Sequence, residues 1–220
     1  MRYLDCSNSI HLCGIITTDP KLLYTSGETE YYGFDISVER KVSRVKDVLP
    51  VMCKKAIIPE GLSKGMLVAL DGDYCVYTGT HMLEMLGVTD KKAAYKVFAK
   101  HIEIRTEPES ASSNQMKLKG YLLDVSPIRE TQSGDKLVDA VVLYRKDFVA
   151  PNGDVITEKY RINCIVWNDE AEKLVDAEWM QKVSIWGKLQ SRPYTKVLEN
   201  GDTFNSTAYE LSAGSLWFIS

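Results

Sequence analysis

The segment Tyr160-Arg-Ile-Asn-Cys-Ile-Val-Trp167, followed directly by Asn168-Asp-Glu-Ala-Glu-Lys-Leu-Val175, decides the fold of this chain. Its first part alternates apolar and polar residues, and this period of two predicts a strand with one solvated face. Its second part predicts a helix that Asn168 caps, with acidic residues at the positive end of the helix dipole. We expect one apolar helix face, formed by Ala171, Leu174 and Val175.

Strands of the same kind surround this segment on both sides. Phe34, Ile36 and Val38 alternate with polar residues, and so do Val183 and Ile185. Such runs, bounded by Gly, Pro and Asp turns, fill both halves of the chain, so the predicted class is all-β. Three strands, a short helical link and two closing strands are the order of the OB-fold, a five-stranded Greek-key barrel.

The barrel pattern occurs twice along the chain. Gly14 with a following proline matches Gly120 with a following proline, and the polar stretch Arg105–Asn114 between the halves has linker composition. We therefore expect two tandem OB-fold domains over residues 1–106 and 115–220, joined by a linker at 107–114. The other matched segments are Phe34–Arg40 with Asp139–Arg145, Leu49–Cys53 with Tyr160–Cys164, and Met66–Gly72 with Gln181–Gly187.

The helical link of the first half is harder to place. Ile57–Lys64 contains a proline and a glycine, so any helix there is short. A helix over Asp90–Lys100 competes with a last strand over Tyr95–Ile104. We favour a strand from Val97 onward.

Composition limits the class of protein. The chain has 220 residues, of which 45% are hydrophobic and 26% charged, as in ordinary globular domains. No apolar run is long enough to span a bilayer, and the first 14 residues lack the apolar core of a signal peptide. The five cysteines form no C-x-x-C pair, which favours reduced thiols. We expect a cytoplasmic protein without membrane contact. Because the net charge is −3, any anionic ligand needs a local basic patch.

No residue pattern indicates catalysis, a cofactor or a metal site. His11, Cys13 and Cys6 would need further ligands that the spacing does not supply. Asp71 and Asp73 flank a glycine, which is typical of a turn. The chain has no Gly-rich phosphate loop. We therefore expect neither an enzyme nor a cofactor-binding protein.

Five stretches of the second half carry a family resemblance. The most specific are the tryptophan before the helical link and Gly187-Lys-Leu-Gln-Ser-Arg-Pro-Tyr194. Over residues 116–219 these stretches resemble the bacterial single-stranded DNA-binding protein family, and residues 10–104 resemble it weakly. The five stretches are Lys119–Pro127, Arg129–Gly134, Leu143–Arg145, Cys164–Glu172 and Ile185–Tyr194.

The resemblance implies sequence-independent binding of single-stranded DNA in replication, repair and recombination. The family is implied to assemble four barrels, so a chain with two barrels would form a homodimer. The family also recruits replication proteins through an acidic tip, whereas Glu210–Ser220 has the pattern of a final strand, which puts that recruitment in doubt. The alternative is a primosomal or mobile-element accessory that acts as a protein-interaction module and binds DNA weakly.

Binding a single strand without sequence preference requires cations for the phosphates and rings for the bases. The resemblance places Tyr144, Arg161 and Trp167 near the surface of strands 2 and 3, and Tyr194 at a stacking position beside Arg192. The neighbouring cations Arg145, Lys146 and Lys159 complete the set predicted in the second half. Trp186 alternates with Ile185, which is typical of a core or interface position, and neither Trp186 nor Trp217 is expected to contact DNA.

The first half offers two basic clusters. Six cations follow or begin its central strands, and they form either a solvated hairpin or a phosphate track on one barrel face. Its aromatic candidates, Tyr24, Tyr31, Tyr32 and Tyr77, have no strong placement, so the first barrel binds more weakly or serves in assembly. The six predicted DNA-binding cations are Arg40, Lys41, Arg44, Lys46, Lys54 and Lys55.

Overall fold

Strand pairing closes each half of the chain into a barrel in the computed structural model. The first half contains β1 (Ser7–Ile16), β2 (Lys21–Ser26), β3 (Thr29–Glu39), β4 (Lys46–Lys54), β5 (Leu67–Tyr77), α1 (Thr80–Met85) and β6 (Ala94–Ile104). The second half contains β7 (Asn114–Val125), β8 (Arg129–Glu130), β9 (Lys136–Val149), β10 (Val155–Trp167), α2 (Asn168–Glu172), β11 (Lys182–Val197) and β12 (Thr203–Phe218). The structure describes residues 6–41, 43–88, 93–107, 114–149, 153–197 and 202–219.

The two barrels have the same topology. In the first, β1 pairs with β3, β3 with β4, β4 with β6, β6 with β5, and β5 again with β1. In the second, β7, β9, β10, β12 and β11 close in the same order. The β4–β6 and β10–β12 pairs are parallel, and the others are antiparallel. This is the OB-fold topology, so the predicted all-β class with two tandem OB-folds is confirmed.

The barrels are joined by antiparallel pairing of β1 with β7, which creates a six-stranded sheet in the order β6-β5-β1-β7-β11-β12. Asn8 pairs with Leu118, Leu12 pairs with Asn114, and Ile10 lies opposite Met116 at the centre. Asn114 is the equivalent of Asn8 and Leu118 is the equivalent of Leu12, so the pairing is symmetric. A local two-fold axis therefore relates the two barrels.

A buried asparagine at each end of this junction holds the neighbouring strand. The Asn8 side chain donates to the carbonyl of Tyr74 at 2.6 Å and accepts from its N–H at 3.2 Å. Asn114 does the same with Leu189, at 2.6 and 3.0 Å. Both clamps lie just beyond a register shift, where β5 and β11 leave the regular ladder. The amides therefore satisfy backbone groups that would otherwise be buried without partners.

Two pairs of glycines occupy equivalent positions in the two barrels. At each of them the neighbouring strand lies too close to leave room for a side chain. A Cβ added at Gly14 or Gly120 would lie 2.4 Å from a backbone oxygen of the neighbouring strand. At Gly72 and Gly187 the corresponding distances are 2.2 and 2.1 Å. These contacts confirm the two glycine matches found in the sequence.

The other sequence matches are out of register. Strands β3 and β9 are shifted by one residue from the predicted match, so Arg40 corresponds to Lys146 and not to Arg145. Strands β4 and β10 are shifted by two, so Leu49 corresponds to Ile162. A shift of one residue exchanges the two faces of a strand. Arg40 and Lys146 therefore point to the same side of their strands, and Arg145 points to the opposite side.

Helix α2 differs from the prediction in length and capping. Asn168 does not cap it: this residue has φ of 48°, and its side-chain oxygen accepts the N–H of Lys136 at 3.0 Å. The helix ends at Glu172. Ala171 and Leu174 are buried as predicted, but Val175 is 62% exposed because the chain has already left the helix there.

The connections of the first half also differ from expectation. The predicted range Ile57–Lys64 holds no α-helix, and a 3-10 turn at Lys55–Ile57 reaches only its first residue. The last strand begins at Ala94, which excludes a helix through Lys100. Helix α1 was not predicted. Of the expected linker at 107–114, only the two end residues are described. In the described part of the chain, no helix is long and apolar enough to cross a membrane.

Replacing Asn114 by alanine tests the clamp. The Asn114→Ala variant should lose about 2–4 kcal/mol of unfolding free energy, because two buried backbone groups of Leu189 lose their partners. Guanidinium denaturation measures the change. Asn163→Ala, at an exposed position of β10, should change stability by no more than about 0.5 kcal/mol. Equal effects of the two substitutions would contradict a structural role of the clamp.

Candidate nucleic-acid interface

The outward side of β9 and β10 brings four predicted residues together. Arg145 pairs with Lys159, and Arg161 lies opposite Leu143 in the same ladder. Lys159, Arg161 and Trp167 are separated by even numbers of residues on one strand, so their side chains share one face. The indole N–H of Trp167 donates to the hydroxyl of Ser212 at 3.3 Å, which leaves the ring half-buried at the strand end. We call this surface the β9–β10 face.

The intervening residues of the same strands point into the junction between the barrels. Tyr144 is buried and stacks on Tyr160, with ring centroids 5.8 Å apart. Tyr160 in turn meets the edge of Tyr77 from the first barrel at 6.2 Å. Burial raises the pKa of Tyr144 to about 12, so its hydroxyl stays neutral. The prediction that Tyr144 stacks on DNA is therefore wrong, since its ring is covered.

Lys146 belongs to the junction as well. Its ammonium group lies 3.3 Å from the carboxylate of Asp73 in the first barrel, which Lys100 also contacts at 2.6 Å. Asp73 is nearly buried, so its charge needs these partners. Lys146 thus links the barrels, while 42% of its side-chain surface stays exposed.

Arg40 holds the opposite side of the junction. Its guanidinium binds both carboxylate oxygens of Asp47, at 2.9 and 2.7 Å, and donates to the carbonyl of Ser191 in the second barrel at 3.2 Å. The N–H of Ser191 donates to Asp47 at 2.7 Å. Hydrogen bonding to Asp47 raises the pKa of Arg40. Because Asp47 is only 1% exposed, Arg40 is a structural cation and not the predicted phosphate ligand.

The remaining predicted cations of the first barrel lie at the two ends of β4. Lys41, Arg44 and Lys46 are exposed around the β3–β4 turn, and Lys54 and Lys55 are exposed at the far end. Eight residues of strand place the two ends about 26 Å apart. Lys46 and Lys54 share the outward side of β4, so the two clusters lie at opposite ends of one barrel face.

Lys55 is already engaged within the first barrel. Its ammonium group lies 2.6 Å from the carboxylate of Glu30 and 5.9 Å from the centroid of the Tyr32 ring. Since the ammonium group is exposed, the pair adds little stability and leaves Lys55 accessible to a ligand.

Arg192 and Tyr194 lie on the long β11–β12 hairpin. Both are exposed, and they are two residues apart on one strand, so they share a face. The Arg192 guanidinium contacts the carboxylate of Glu210 at 3.2 Å. Tyr194 keeps 41% of its surface exposed opposite Ser206. In the sheet order, β12 separates this hairpin arm from the β9–β10 face.

An exposed aromatic patch was missed at the sequence level. Trp186 and Trp217 are 49% and 48% exposed, and their rings meet edge to face at 5.9 Å. Lys117 lies 4.3 Å above the Trp186 ring. The patch borders a groove of about 500 Å³ on the outer face of the six-stranded sheet. The alternation of Trp186 with Ile185 predicted a core or interface position. The strand pairing places Trp186 on the outer face of the sheet. The other polar residues of the groove include Gln115, Lys188 and Gln190.

The histidine and cysteine residues near the N-terminus do not converge as metal ligands. His11 lies 2.8 Å from the carboxylate of Asp71 across the β1–β5 ladder. Within the described ranges, no three His, Cys, Asp or Glu side chains form a metal-binding group. All five thiols are free. Burial raises the pKa of Cys53 to about 12 and that of Cys75 to about 11, which keeps both thiols protonated and unreactive.

Comparison with solved structures finds the same architecture over nearly the whole chain. The single-stranded DNA-binding protein of Thermus aquaticus matches with a TM-score of 0.67 and 16% identity, covering 98% of this chain and 94% of that one. The chain shares the fold of that protein. A deletion variant of the same protein matches with a TM-score of 0.68 and 17% identity, covering 98% and 95%.

Other comparisons add little. The N-terminal domain of PriB from Thermoanaerobacter tencongensis covers 46% of this chain and 98% of its own, with 24% identity and a TM-score of 0.37, which supports no conclusion. No protein-family model and no curated protein sequence matches the chain. At these identities the similarity establishes a shared fold, and the resemblance seen in the sequence is confirmed at that level.

Replacing Arg40 by alanine separates structural from binding cations. Arg40→Ala should lower the unfolding free energy by about 3 kcal/mol, because it leaves the Asp47 carboxylate buried without its cation. Chemical denaturation measures this loss. Lys46→Ala, on an exposed neighbouring cation, should change stability by less than about 0.5 kcal/mol. A stable Arg40→Ala protein with weakened DNA binding would return Arg40 to the binding surface.

Proposed function

We propose that the chain binds single-stranded DNA without sequence preference, mainly through the second barrel. The observation that carries this proposal is the β9–β10 face, where Arg145, Lys159 and Arg161 share one outward surface with Trp167. The outer surface of strands 2 and 3 is where OB-folds bind oligonucleotides, and β9 and β10 are those strands here. Cations on this face contact phosphates, and the indole stacks on a base.

The β11–β12 hairpin extends this surface. Arg192 and Tyr194 supply a further cation and a further exposed ring, and the loop between strands 4 and 5 is a second place where OB-folds contact oligonucleotides. Glu210 neutralises part of the Arg192 charge, so Tyr194 contributes more than Arg192. The fold shared with the Thermus aquaticus single-stranded DNA-binding protein supports this function. We extend the proposal to a role in replication, repair and recombination, the processes in which single-stranded DNA is exposed.

Removing two cations of the β9–β10 face tests the proposal. The double variant Lys159→Ala/Arg161→Ala should bind labelled oligothymidine about tenfold more weakly at low salt, because two phosphate contacts are lost. The slope of log affinity against log salt should also become shallower by about 1.4, since each single-strand contact contributes about 0.7. Fluorescence anisotropy at several salt concentrations measures both quantities.

The matched control is Lys64→Ala, which removes an exposed cation from the β4–β5 connection. This variant should keep the wild-type affinity and salt slope. Trp167→Phe should abolish most of the tryptophan quenching by DNA while binding persists. Saturable binding that is unchanged in Lys159→Ala/Arg161→Ala would refute the placement of the site, and no binding by the folded wild-type chain would refute the function.

We also propose that the chain forms a homodimer through the outer face of the six-stranded sheet. Exposed neighbouring tryptophans are unusual on a monomer surface. Asp71 and Glu103 lie on the first-barrel half of this face, and Lys117 and Lys188 lie on the second-barrel half. A second copy, related by a two-fold axis that lies in the interface and runs parallel to the strands, would bring carboxylates of one chain against cations of the other. Four barrels would then assemble.

Charge substitution in the aromatic patch tests the dimer. Trp186→Glu/Trp217→Glu should convert the dimer to a monomer of about 24.8 kDa, because two carboxylates would be buried in the interface. Size-exclusion chromatography with light scattering gives the mass. The control is Trp179→Glu, at a position that is 76% exposed outside this sheet, and it should remain dimeric. A wild-type chain that is monomeric at every concentration would contradict the proposal.

The aromatic patch is also the feature that favours the alternative function, a protein-interaction module with weak DNA binding. Replication proteins are the candidate partners under both functions. Recovery of such a protein by the wild-type chain, with loss in Trp186→Glu/Trp217→Glu and negligible DNA binding, would favour the alternative. The free thiols support a reducing compartment, the cytoplasm.

A further inference from the structure

The two barrels differ at the surface where OB-folds bind oligonucleotides. In the second barrel the outward side of β10 is open, with Arg161 and Asn163 exposed and Ile165 half-buried. The position equivalent to Ile165 in the first barrel is Met52, which also points outward from β4. Met52 is nevertheless only 1% exposed. Something therefore covers the strand 2–3 surface of the first barrel.

The cover consists of helix α1 with the following Leu86, and of Leu23 and Tyr24 of β2. Leu83 and Leu86 form an apolar cluster with Met52 that is separate from the barrel core. Leu23 packs over Gly33 of β3, where an added Cβ would lie 2.7 Å from the leucine side chain. Because Gly33 has no side chain, the Leu23 side chain fills the space above it and covers this part of β3.

Aromatic rings border the covered surface. Tyr31 stacks on Tyr24 with centroids 4.6 Å apart and planes 14° from parallel, and it also contacts Phe98 at 6.4 Å. Tyr31 pairs with Lys54 in the β3–β4 ladder, which puts a cation beside the rings. Stacked rings next to an exposed cation are the combination that binds an unpaired polynucleotide.

Helix α1 is held weakly. It has six residues, its N-cap is Gly79, and no side chain caps its first turn. No acidic residue lies in the first turn and no basic residue in the last. Gly87, with φ of 67°, follows the helix at its other end. So short a helix has little stability of its own and depends on the contacts of Leu83 and Leu86.

We propose that the outward side of β3 and β4 is a second binding site for a single strand, and that α1 is its displaceable cover. This inference rests on the proposed function. A short strand occupies the second barrel alone. In the wild-type chain, a longer strand continues over Tyr31, Phe98 and Lys54 only in the small fraction of molecules in which α1 is displaced. Because the strand binds only the open form, the apparent affinity of the first barrel equals its intrinsic affinity multiplied by the fraction of molecules in which α1 is open.

Loosening the cover should lengthen the bound strand. In Leu83→Ser/Leu86→Ser, the number of oligothymidine nucleotides occluded per chain should rise by roughly 4–16, the range for one OB-fold. Adding Tyr31→Ala should remove this gain, while Tyr31→Ala alone should leave the wild-type length unchanged. The matched control is His81→Ser/Glu84→Ser, which places two serines on the exposed side of α1 and should change nothing.

Hydrogen exchange on the unmodified chain gives an independent test. A long oligothymidine should increase amide exchange in α1, and a strand that fills only the second barrel should not. Gly79→Asp, which introduces a capping side chain where no atom obstructs a Cβ, should slow this exchange about twofold.

The outcomes separate this inference from the proposed function. Failure of the wild-type chain to bind any oligothymidine refutes both. Normal binding by the wild-type chain, with an unchanged occluded length in Leu83→Ser/Leu86→Ser and unchanged α1 exchange, refutes only the cover. If the serine variant does not fold, the exchange experiment decides alone, and protected α1 amides under a long strand overturn the proposal.

Discussion

The structure depends on how β1 and β7 divide their hydrogen-bonding edges. Ile15 and Ile16 of β1 pair with β3 and close the first barrel, whereas the preceding residues of the same edge pair with β7. In β7, the residues from Tyr121 onward close the second barrel, and the earlier ones pair with β1. An unpaired edge would expose backbone groups to non-native pairing. Each barrel therefore uses the other to satisfy the part of its first strand that it cannot pair itself.

This junction determines which polar side chains are available to a ligand. Arg40 with Asp47 lies on one side of the local axis, and Lys146 with Asp73 lies on the other. The two cations occupy equivalent strand positions, whereas the two aspartates lie on β4 and β5. Each pair links the two barrels, and in each the carboxylate is almost completely buried. A buried carboxylate requires a cation nearby, so these two cations are committed to assembly. Arg145, one residue before Lys146, points to the opposite face of β9 and is half-buried, and Lys41, one residue after Arg40, is exposed.

The duplicated barrels have diverged at the surfaces around this shared junction. The second barrel keeps an open β9–β10 face and a long β11–β12 hairpin. The first barrel has a short β3–β4 turn, and α1 occupies the connection that corresponds to that hairpin. The glycines and asparagines that define the junction are the same in both halves, because close strand crossing and buried amide bonds leave no other choice. The surfaces carry no such constraint.

Some features follow directly from the order of residues. Period-two alternation, paired glycines and the strand–helix segment at 160–175 were enough to predict two tandem OB-folds, because local hydrophobic pattern and steric limits act along the chain. The same alternation places Lys159, Arg161 and Trp167 on one face. The position of α1 had no comparable signal, since six residues with one buried leucine do not form an amphipathic pattern.

Only the tertiary structure decided which candidate side chains face a ligand. Tyr144, Lys146 and Arg40 are residue types that commonly bind nucleic acids. The strand register and the packing of the opposite barrel place all three in the junction between the barrels. Trp186 has the alternation of a core residue and lies on an open sheet face. Register and barrel packing arise from contacts between residues far apart in sequence, whereas periodicity is local, so the amino-acid order determined the barrels and the packing between them determined the surfaces.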